Sequence, residues 1–343
     1  MKQFGLKVRI GGVIKVLSLR VFLAVLVAGS AAIGVSSLTL PAWGQEGYPN
    51  KPITFLFGFS VGSGGDIATR LEAEAMSKQL GVPVVVRNVP GAGGRNAVTL
   101  LNRAKPDGYT MAIVNVPGQL VNQIVRGFPP DLRTFKWIGR AVAQPYFIQA
   151  TKLSGISSLK DAQKATKPLR AGITGTGGNT FPISVIATSI VGYPVRFVPG
   201  FKSAEIIANL MRGDLEVSTL PVGDYTLVGV RSGKTKAIAI YTPERHPKLP
   251  DVPTGAEQGF PKLAEPTVMG TNLVALPPGT PDKIVDKLEA ALAKALRDKE
   301  VVRKIEMAGN FVKPLTGKQA AQLLADMIKL VEKNTPLLKP YVK

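Results

Sequence analysis

Two α/β lobes joined by a hinge are the fold this chain predicts, on three observations. Short β-branched runs alternate with helix-period segments along most of its length. The alternation breaks at a proline-interrupted stretch, Trp137 to Ala150, and then starts again. Removing an N-terminal leader of 44 from the 343 residues leaves 299, enough for two packed cores. A βαβ series of this kind builds mostly parallel sheets with helices on both faces, and ligands lie at the carboxyl ends of the strands.

The leader comes first. Residues 1–44 carry Lys2, Lys7, Arg9, Lys15 and Arg20 and no acid, then an apolar run from Val21 to Ile33, then small residues ending at Ala42-Trp43-Gly44. That order is a secretory signal peptide with an A-x-G cleavage site. An uncleaved anchor is the competing reading, since Val21 to Leu40 approaches a bilayer-spanning length, but serines and glycines weaken its second half. No twin-arginine pair is present, which leaves the general secretory route. The chain has no cysteine, so neither a lipid-modified cysteine nor a disulfide is available to it. A soluble periplasmic protein is expected.

In the first lobe, Ile53 to Phe59 reads as a buried strand. Ile67 to Leu80 reads as a helix with Ile67, Leu71, Ala75 and Leu80 on one stripe, stopped by Gly81. Val82 to Val86 is the next strand, Gly94 to Arg103 a helix, Pro106-Asp107-Gly108 a turn and Tyr109 to Asn115 a third strand. In the second lobe Ser157 is expected to cap a helix running through Ala165. Strand and helix then alternate: strand Leu169 to Ile173, helix Phe181 to Ile190, strand Pro194 to Val198, helix Ser203 to Met211. Two strands follow, Leu215 to Leu220 and Lys236 to Tyr241. A strand at Thr271 to Leu276 and helices at Pro281 to Leu296, Lys299 to Met307 and Lys318 to Lys333 close the chain. The last segment has too little strand for a sheet of its own, so it is expected to pack on the first lobe. The expected division is residues 45–145 with 269–343 as lobe 1 and 146–268 as lobe 2, crossing near Gln144 and Gly270.

The formal charge of +20 falls by the leader's five cations to +15. Such a balance concentrates anions near the surface. The cations are scattered and aromatics sparse, with no run long enough to track a phosphate backbone, so nucleic acid is not the expected partner.

Three glycine-rich loops join an expected strand to an expected helix: Ser60 to Asp66 (SVGSGGD), Pro90 to Asn96 (PGAGGRN) and Gly175 to Thr180 (GTGGNT). Glycine permits close backbone approach, and the helix behind each loop leaves its first amide hydrogens without partners. Those amides and the helix dipole suit a carboxylate or phosphate. None of the loops reads G-x-x-x-x-G-K-[ST], and none completes G-x-G-x-x-G with an acid at the right distance, so nucleotides are disfavoured. PGAGGRN ranks third, since it can be plain turn chemistry. Asp66 is open between two roles, a helix N-cap and a partner for a ligand ammonium. Lys202 and Arg95 are candidate counter-charges.

These residues resemble the Bug family, the extracytoplasmic solute receptors of tripartite tricarboxylate transport systems. The likeness runs through YPNKPITFLFGFSVGSGGD, PVVVRNVPGAGG, AKPDGYTM, VRFVPGFKSAEIIANLMRGDLEV, PERHPKLPDVPTGAEQGFP and ALPPGTPDKIVDKLEAALAKAL, nearly the whole exported chain. It implies a two-lobed periplasmic-binding-protein fold of type II that closes on a small organic carboxylate and hands it to membrane permease subunits. A stand-alone carboxylate sensor with a signalling partner is the alternative, and in either case a monomer is expected. The resemblance implies ligand contacts at Phe59, Ser60, Val61, Gly62, Ser63, Gly64, Gly65 and Asp66 in the first lobe. In the second it implies Gly175, Thr176, Gly177, Gly178, Asn179 and Thr180, with further contacts at Asn115, Gln119, Gly200 and Lys202. Relatives more often read FPPGGGTD in the first loop, begin the second-lobe helix with serine or histidine where Asn179-Thr180-Phe181-Pro182 stands, and carry a tryptophan near Thr267 to Gly270. These departures bear on the ligand rather than the fold.

An enzyme needs catalysts, and few are available. The only histidine, His246, lies in the loop PERHPKLPDVPT, and a turn-rich surface loop is a poor place for an oriented base. Cysteine nucleophiles and His/Cys metal cages are excluded by count. No catalytic residue, metal or cofactor is expected; hydrolase or lyase activity is the weakest alternative.

Overall fold

The computed structural model describes residues 47–342 other than residue 176. The expected signal peptide and the expected contact at Thr176 lie outside the described residues.

Among the described residues, ten strands form two five-stranded sheets. The first holds β1 (Ile53–Phe57), β2 (Val84–Asn88), β3 (Thr110–Val116), β4 (Lys136–Gln144) and, from far along the chain, β10 (Gly270–Leu276), in the order β2-β1-β3-β10-β4. The second holds β5 (Tyr146–Thr151), β6 (Leu169–Gly172), β7 (Val195–Val198), β8 (Val217–Pro221) and β9 (Thr235–Ile240), in the order β7-β6-β8-β5-β9. Pro145 alone separates β4 from β5, and having no N–H to donate it suits a change of sheet.

Both sheets are mixed rather than mostly parallel. β1 runs parallel to β2 and β3, whereas β10 pairs antiparallel with β3 and β4. In the second sheet β6 is parallel to β7 and β8, and β5 is antiparallel to β8 and β9. The strand that enters or re-enters from the other sheet is in each case the antiparallel one, because it arrives from the opposite end.

Period-two alternation sets the cores. Ile53, Phe55 and Phe57 of β1 face one cluster with Met76, Leu288 and Ile305, while Leu56 faces the other side with Val114, Leu324 and Met327. In β5 Phe147 joins Leu210 and Leu220, and its neighbours Tyr146 and Ile148 point into the larger cluster.

Among the described residues, seven helices of nine residues or more cover the sheets: α1 (Gly64–Leu80), α2 (Arg95–Arg103), α3 (Thr180–Val191), α4 (Ser203–Arg212), α5 (Asp282–Ala295), α6 (Lys299–Met307) and α7 (Gly317–Leu338). α1 starts three residues before its expected place, because the Ser63 hydroxyl accepts from the Asp66 amide and caps the helix; Gly81, at φ 72°, ends it. Its buried face also differs from the expected stripe. Ile67 is 42% exposed, and Ala68, Thr69, Glu72, Ala75 and Met76 point inward. Small residues bring the helix close to the sheet, and a buried glutamate hides the periodicity from any apolar count. Ser158 rather than Ser157 caps the short helix Leu159–Gln163, and the Ser157 amide donates to Asp161 instead.

The end of the chain packs on more than the first sheet. α7 lies along β4 and also meets α3, and the Tyr341 ring just beyond it stands edge-on to Phe181 at 6.1 Å and Phe197 at 5.4 Å. Phe197 lies in β7 and Phe181 in α3, so one helix braces both sheets.

Candidate functional site

A cavity of about 810 Å³ lies between the carboxyl-end loops of the two sheets. Two helix starts face it. On one side the loop after β1 leads into α1, where Gly64 and Gly65 form the first turn. Their amides have no carbonyl four residues back inside the helix, so they are free to point at a ligand. Glycine is required at Gly65 because a Cβ there would stand 2.8 Å from the Phe57 ring. On the other side the loop after β6 leads into α3, whose N-cap Asn179 does not cap: its side chain makes no bond to the helix amides. Asn179 Oδ1 instead accepts from the Gly118 amide at 2.8 Å and from Asn115 Nδ2 at 3.4 Å. The start of α3 is thereby left open to the cavity, and the two sides of the cleft are tied to each other.

Asp66 does not cap α1, the Ser63 hydroxyl having that role, and its carboxylate is 1% exposed. Oδ2 accepts from the Gly62 amide at 2.9 Å and from Arg70 Nε at 3.0 Å, and Oδ1 accepts from Asn88 Nδ2 at 2.7 Å. Burial works to raise its pKa, yet the bonds from Arg70, Asn88 and Gly62 outweigh it and hold the carboxyl below its ordinary value. Asp66 therefore pins the loop from behind, and the ammonium-partner role does not fit it, since its oxygens are occupied and it does not line the cavity.

Of the expected contacts, the cavity wall includes Phe59, Ser60, Gly62, Ser63, Gly64, Gly65, Asn115, Gly178, Asn179, Thr180 and Lys202. Val61 is 69% exposed and stands outside the wall. Gln119 sits behind it, donating to the Gly93 carbonyl at 2.6 Å and to Asn115 Oδ1 at 3.0 Å, so it braces Asn115 rather than reaching the cavity. Gly200 lies in an exposed loop segment, outside the wall. Gly175 and Gly177 line a separate, smaller cavity together with Gly178.

Other wall residues are not among the expected contacts. Asn272 comes from β10, Asn310 from the turn after α6, and Tyr225 from the loop after β8. Asn310 donates from Nδ2 to the Gly64 carbonyl at 3.3 Å. The segment PVGDY (Pro221 to Tyr225) is a fourth strand-to-helix turn carrying a glycine, a signal that could have found Tyr225. Nothing local marks Asn272 or Asn310; only the pairing of β10 beside β3 brings Asn272 opposite Asn115. Asp224 also lines the cavity, but Arg231 and Lys248 bind it at 2.7 and 3.1 Å. Lys248 further donates to the Met307 carbonyl at 3.2 Å, linking the loop after β9 to the end of α6.

His246 is buried rather than on the surface. Its Nδ1 accepts from the Lys248 amide at 3.0 Å and its ring stacks on Phe311 with centroids 4.7 Å apart. Burial, helped by the charge of Lys248, pulls its pKa down to about 4, so the ring is neutral at pH 7 and serves as packing. Among the described residues no group of three or more His, Cys, Asp or Glu side chains gathers as a metal site would.

Two sheets presenting open helix starts to one cleft form the arrangement of a solute-binding receptor. The chain belongs to the tripartite tricarboxylate transporter family receptors, whose model matches residues 68–339. It is 27% identical over 315 residues to a protein of the tcbD-tcbE intergenic region of a Pseudomonas strain, covering 88% of this chain and 90% of that one. It is likewise 27% identical over 293 residues to BugT of Bordetella pertussis, covering 82% and 87%. Among solved structures it resembles a periplasmic transporter at 27% identity and TM-score 0.69, covering 85% of this chain and 98% of that one. It also resembles MatC of Rhodopseudomonas palustris with bound malate, at 25% identity and TM-score 0.65, covering 86% and 100%. The fold is that of the periplasmic binding proteins, and the family is one of receptors, not enzymes.

Proposed function

We propose that this protein captures a small organic carboxylate in the cleft between its two sheets and delivers it to the membrane subunits of a tripartite tricarboxylate-type transporter. One observation carries the reading: the first turns of α1 and α3, both with uncommitted amides, face the same cavity from opposite sides. A carboxylate held there accepts from backbone N–H groups in the field of two helix dipoles. Each charge-assisted bond contributes about 1.5–3 kcal/mol, so three or four reach the roughly 8 kcal/mol of a micromolar complex after ordering costs. The amides converge only when the cleft is shut, so the ligand shifts the population toward the closed form. The malate bound by the relative MatC supports an acid as the ligand.

Phe59, Phe201 and Tyr225 give the cavity aromatic walls, and Lys202 supplies a cation at its edge. The volume of about 810 Å³ falls within the usual range for small-molecule sites. Together these favour acids with an apolar or aromatic body over the smallest diacids. A thermal-shift screen against a carboxylate panel tests the reading. An acid at roughly 100 times its dissociation constant adds about 2.7 kcal/mol, or several degrees at roughly 2–4 °C per kcal/mol. A folded protein indifferent to every acid overturns the proposal.

A further inference from the structure

The wall of the main cleft carries side-chain amides that the surrounding loops leave unbonded. Asn272 of β10 is 4% exposed, lines the cavity and stands opposite Asn115 in register, yet its carboxamide makes no hydrogen bond to the protein among the described residues. Gln144, at the end of β4, lines the cavity in the same condition. Asn179 commits its Oδ1 to Gly118 and Asn115, while its Nδ2 donates to no protein group among the described residues. These amides lie close together. A Cβ on Gly270 would stand 3.2 Å from both Asn179 Nδ2 and Gln144 Oε1, and one on Gly65 would stand 3.6 Å from Asn272 Nδ2. Gly270 and Asn272 are two residues apart on β10 and so share a face. The cluster therefore borders the first turn of α1 and the N-cap of α3. Among the described wall residues the only acid is Asp224, already bound by Arg231 and Lys248, and the only cation is the exposed Lys202.

Resting on the carboxylate reading of the cleft, we infer that Asn272 and Gln144 select acids with an uncharged O–H or N–H donor beside the carboxylate: a hydroxy acid or an acylamino acid. A carboxamide turned either way presents an acceptor oxygen as well as an NH2 group. A carboxylate satisfies only the NH2 groups, and the oxygens of Asn272 and Gln144 are then shut in without a donor when the cleft closes. An ammonium would supply that donor but bring a positive charge to a wall whose one acid is already paired. A hydroxyl or an amide N–H meets the oxygens at no such cost, so the bare acid and the amino acid are both disfavoured. Polar groups left unpaired by the wrong ligand discriminate more sharply than an apolar wall does.

The test is a calorimetric comparison of acids that share one shape. Phenylacetate, mandelate and phenylglycine form one series, with hydrogen, hydroxyl and ammonium at the same carbon; butyrate, 2-hydroxybutyrate and 2-aminobutyrate form a smaller one. In at least one series the hydroxy acid is expected to bind about tenfold or more tightly than its two counterparts. N-acetylphenylglycine separates N–H from O–H, and a preference for either donor supports the inference. Asn272→Leu and Gln144→Met should each erase most of that margin, whereas damage to the fold would weaken all three acids alike and leave the margin standing. Thermal unfolding without ligand confirms that the variants fold. Asn272→Asp should move the preference toward the amino acid, whose ammonium then has a counter-charge. The inference fails if acids bind without regard to the donor, or if the margin survives both Asn272→Leu and Gln144→Met; the carboxylate reading stands in either case. If no acid of these series or of a wider carboxylate panel binds to folded protein at millimolar concentration, both fall together. If other carboxylates bind and these series do not, this inference alone falls.

Discussion

Glu72 is the most exposed prediction in energetic terms because it is the least exposed acid. It lies on the buried face of α1, at 0% accessibility, and neither carboxyl oxygen has a hydrogen-bond partner. Burial pushes its pKa from 4.5 up to about 8. Below pH 4.5 the folded and unfolded chains both hold this proton, and it has no effect on stability. Between 4.5 and about 8 the unfolded chain releases the proton and the folded chain keeps it, so stability falls as pH rises. At about 1.4 kcal/mol per pH unit the loss is about 3 kcal/mol at pH 7 and about 5 kcal/mol above pH 8. Glu72→Gln removes the titration and keeps the shape. Glu72→Leu also removes two unpartnered oxygens, worth a further gain of about 1–3 kcal/mol at any pH. Urea unfolding at pH 5, 6, 7 and 8 reads the difference between parent and Glu72→Gln, in which every other titration cancels. A difference widening steadily toward pH 8 is expected. Parallel curves would mean that Glu72 ionises normally, and the account of its burial would be wrong.

Three further changes bear on the cleft. Asp66→Asn weakens the charge-assisted bonds from Arg70 and the Gly62 amide; about 1–3 kcal/mol of stability is lost, together with ligand affinity, and thermal unfolding with calorimetry reads both. The Asp66 pKa is depressed, so its stabilisation is complete above the ordinary carboxylate range and fades as pH falls through its folded value; Asp66→Asn should therefore show less acid sensitivity than the parent between pH 5 and 2. Asn179→Asp keeps an acceptor for Gly118 and Asn115 but adds a negative charge beside the open start of α3. Affinity for any bound acid should drop at least tenfold, and an undiminished isotherm would count against the carboxylate cradle. Gly93→Val forces a side chain into Gly177 and strains a φ of 65°. Small-angle scattering should then report a more open particle with ligand present, and closure equal to the parent's would show that the loops need not touch.

The sheets were legible because alternation and turn chemistry are local. β1, β6 and α6 fall within a residue or two of where their β-branched runs and caps put them, and the PDG turn precedes β3. What local pattern does not carry is direction. β10 enters the first sheet antiparallel because the chain returns from the second sheet, a fact of topology that no window around Thr271 contains. The burial of Glu72 was invisible for a related reason: polarity argues for the outside, and only the packing of α1 against α5 and α6 reverses it. At the site, the glycine loops announced themselves through composition. Asn272 and Asn310 did not, since an asparagine in a strand or a turn looks the same whether it faces a ligand or solvent. His246 is buried and stacked on Phe311 although a segment rich in proline and turns reads as surface.

The arrangement of Asn179 ties these observations into one argument about closure. An N-cap side chain normally satisfies its own helix, and Asn179 instead accepts from Gly118 and Asn115 across the cleft. The start of α3 is left short of acceptors by the same contacts that hold the lobes together. A closed cleft without an anion thus keeps polar N–H groups facing a confined space, while an open one returns them to water. The shut state is then stabilised by what it encloses, and α7, bracing both sheets, limits how far the lobes part. Affinity and closure become the same quantity, so any change that frees Asn179 to cap α3 should lower both together.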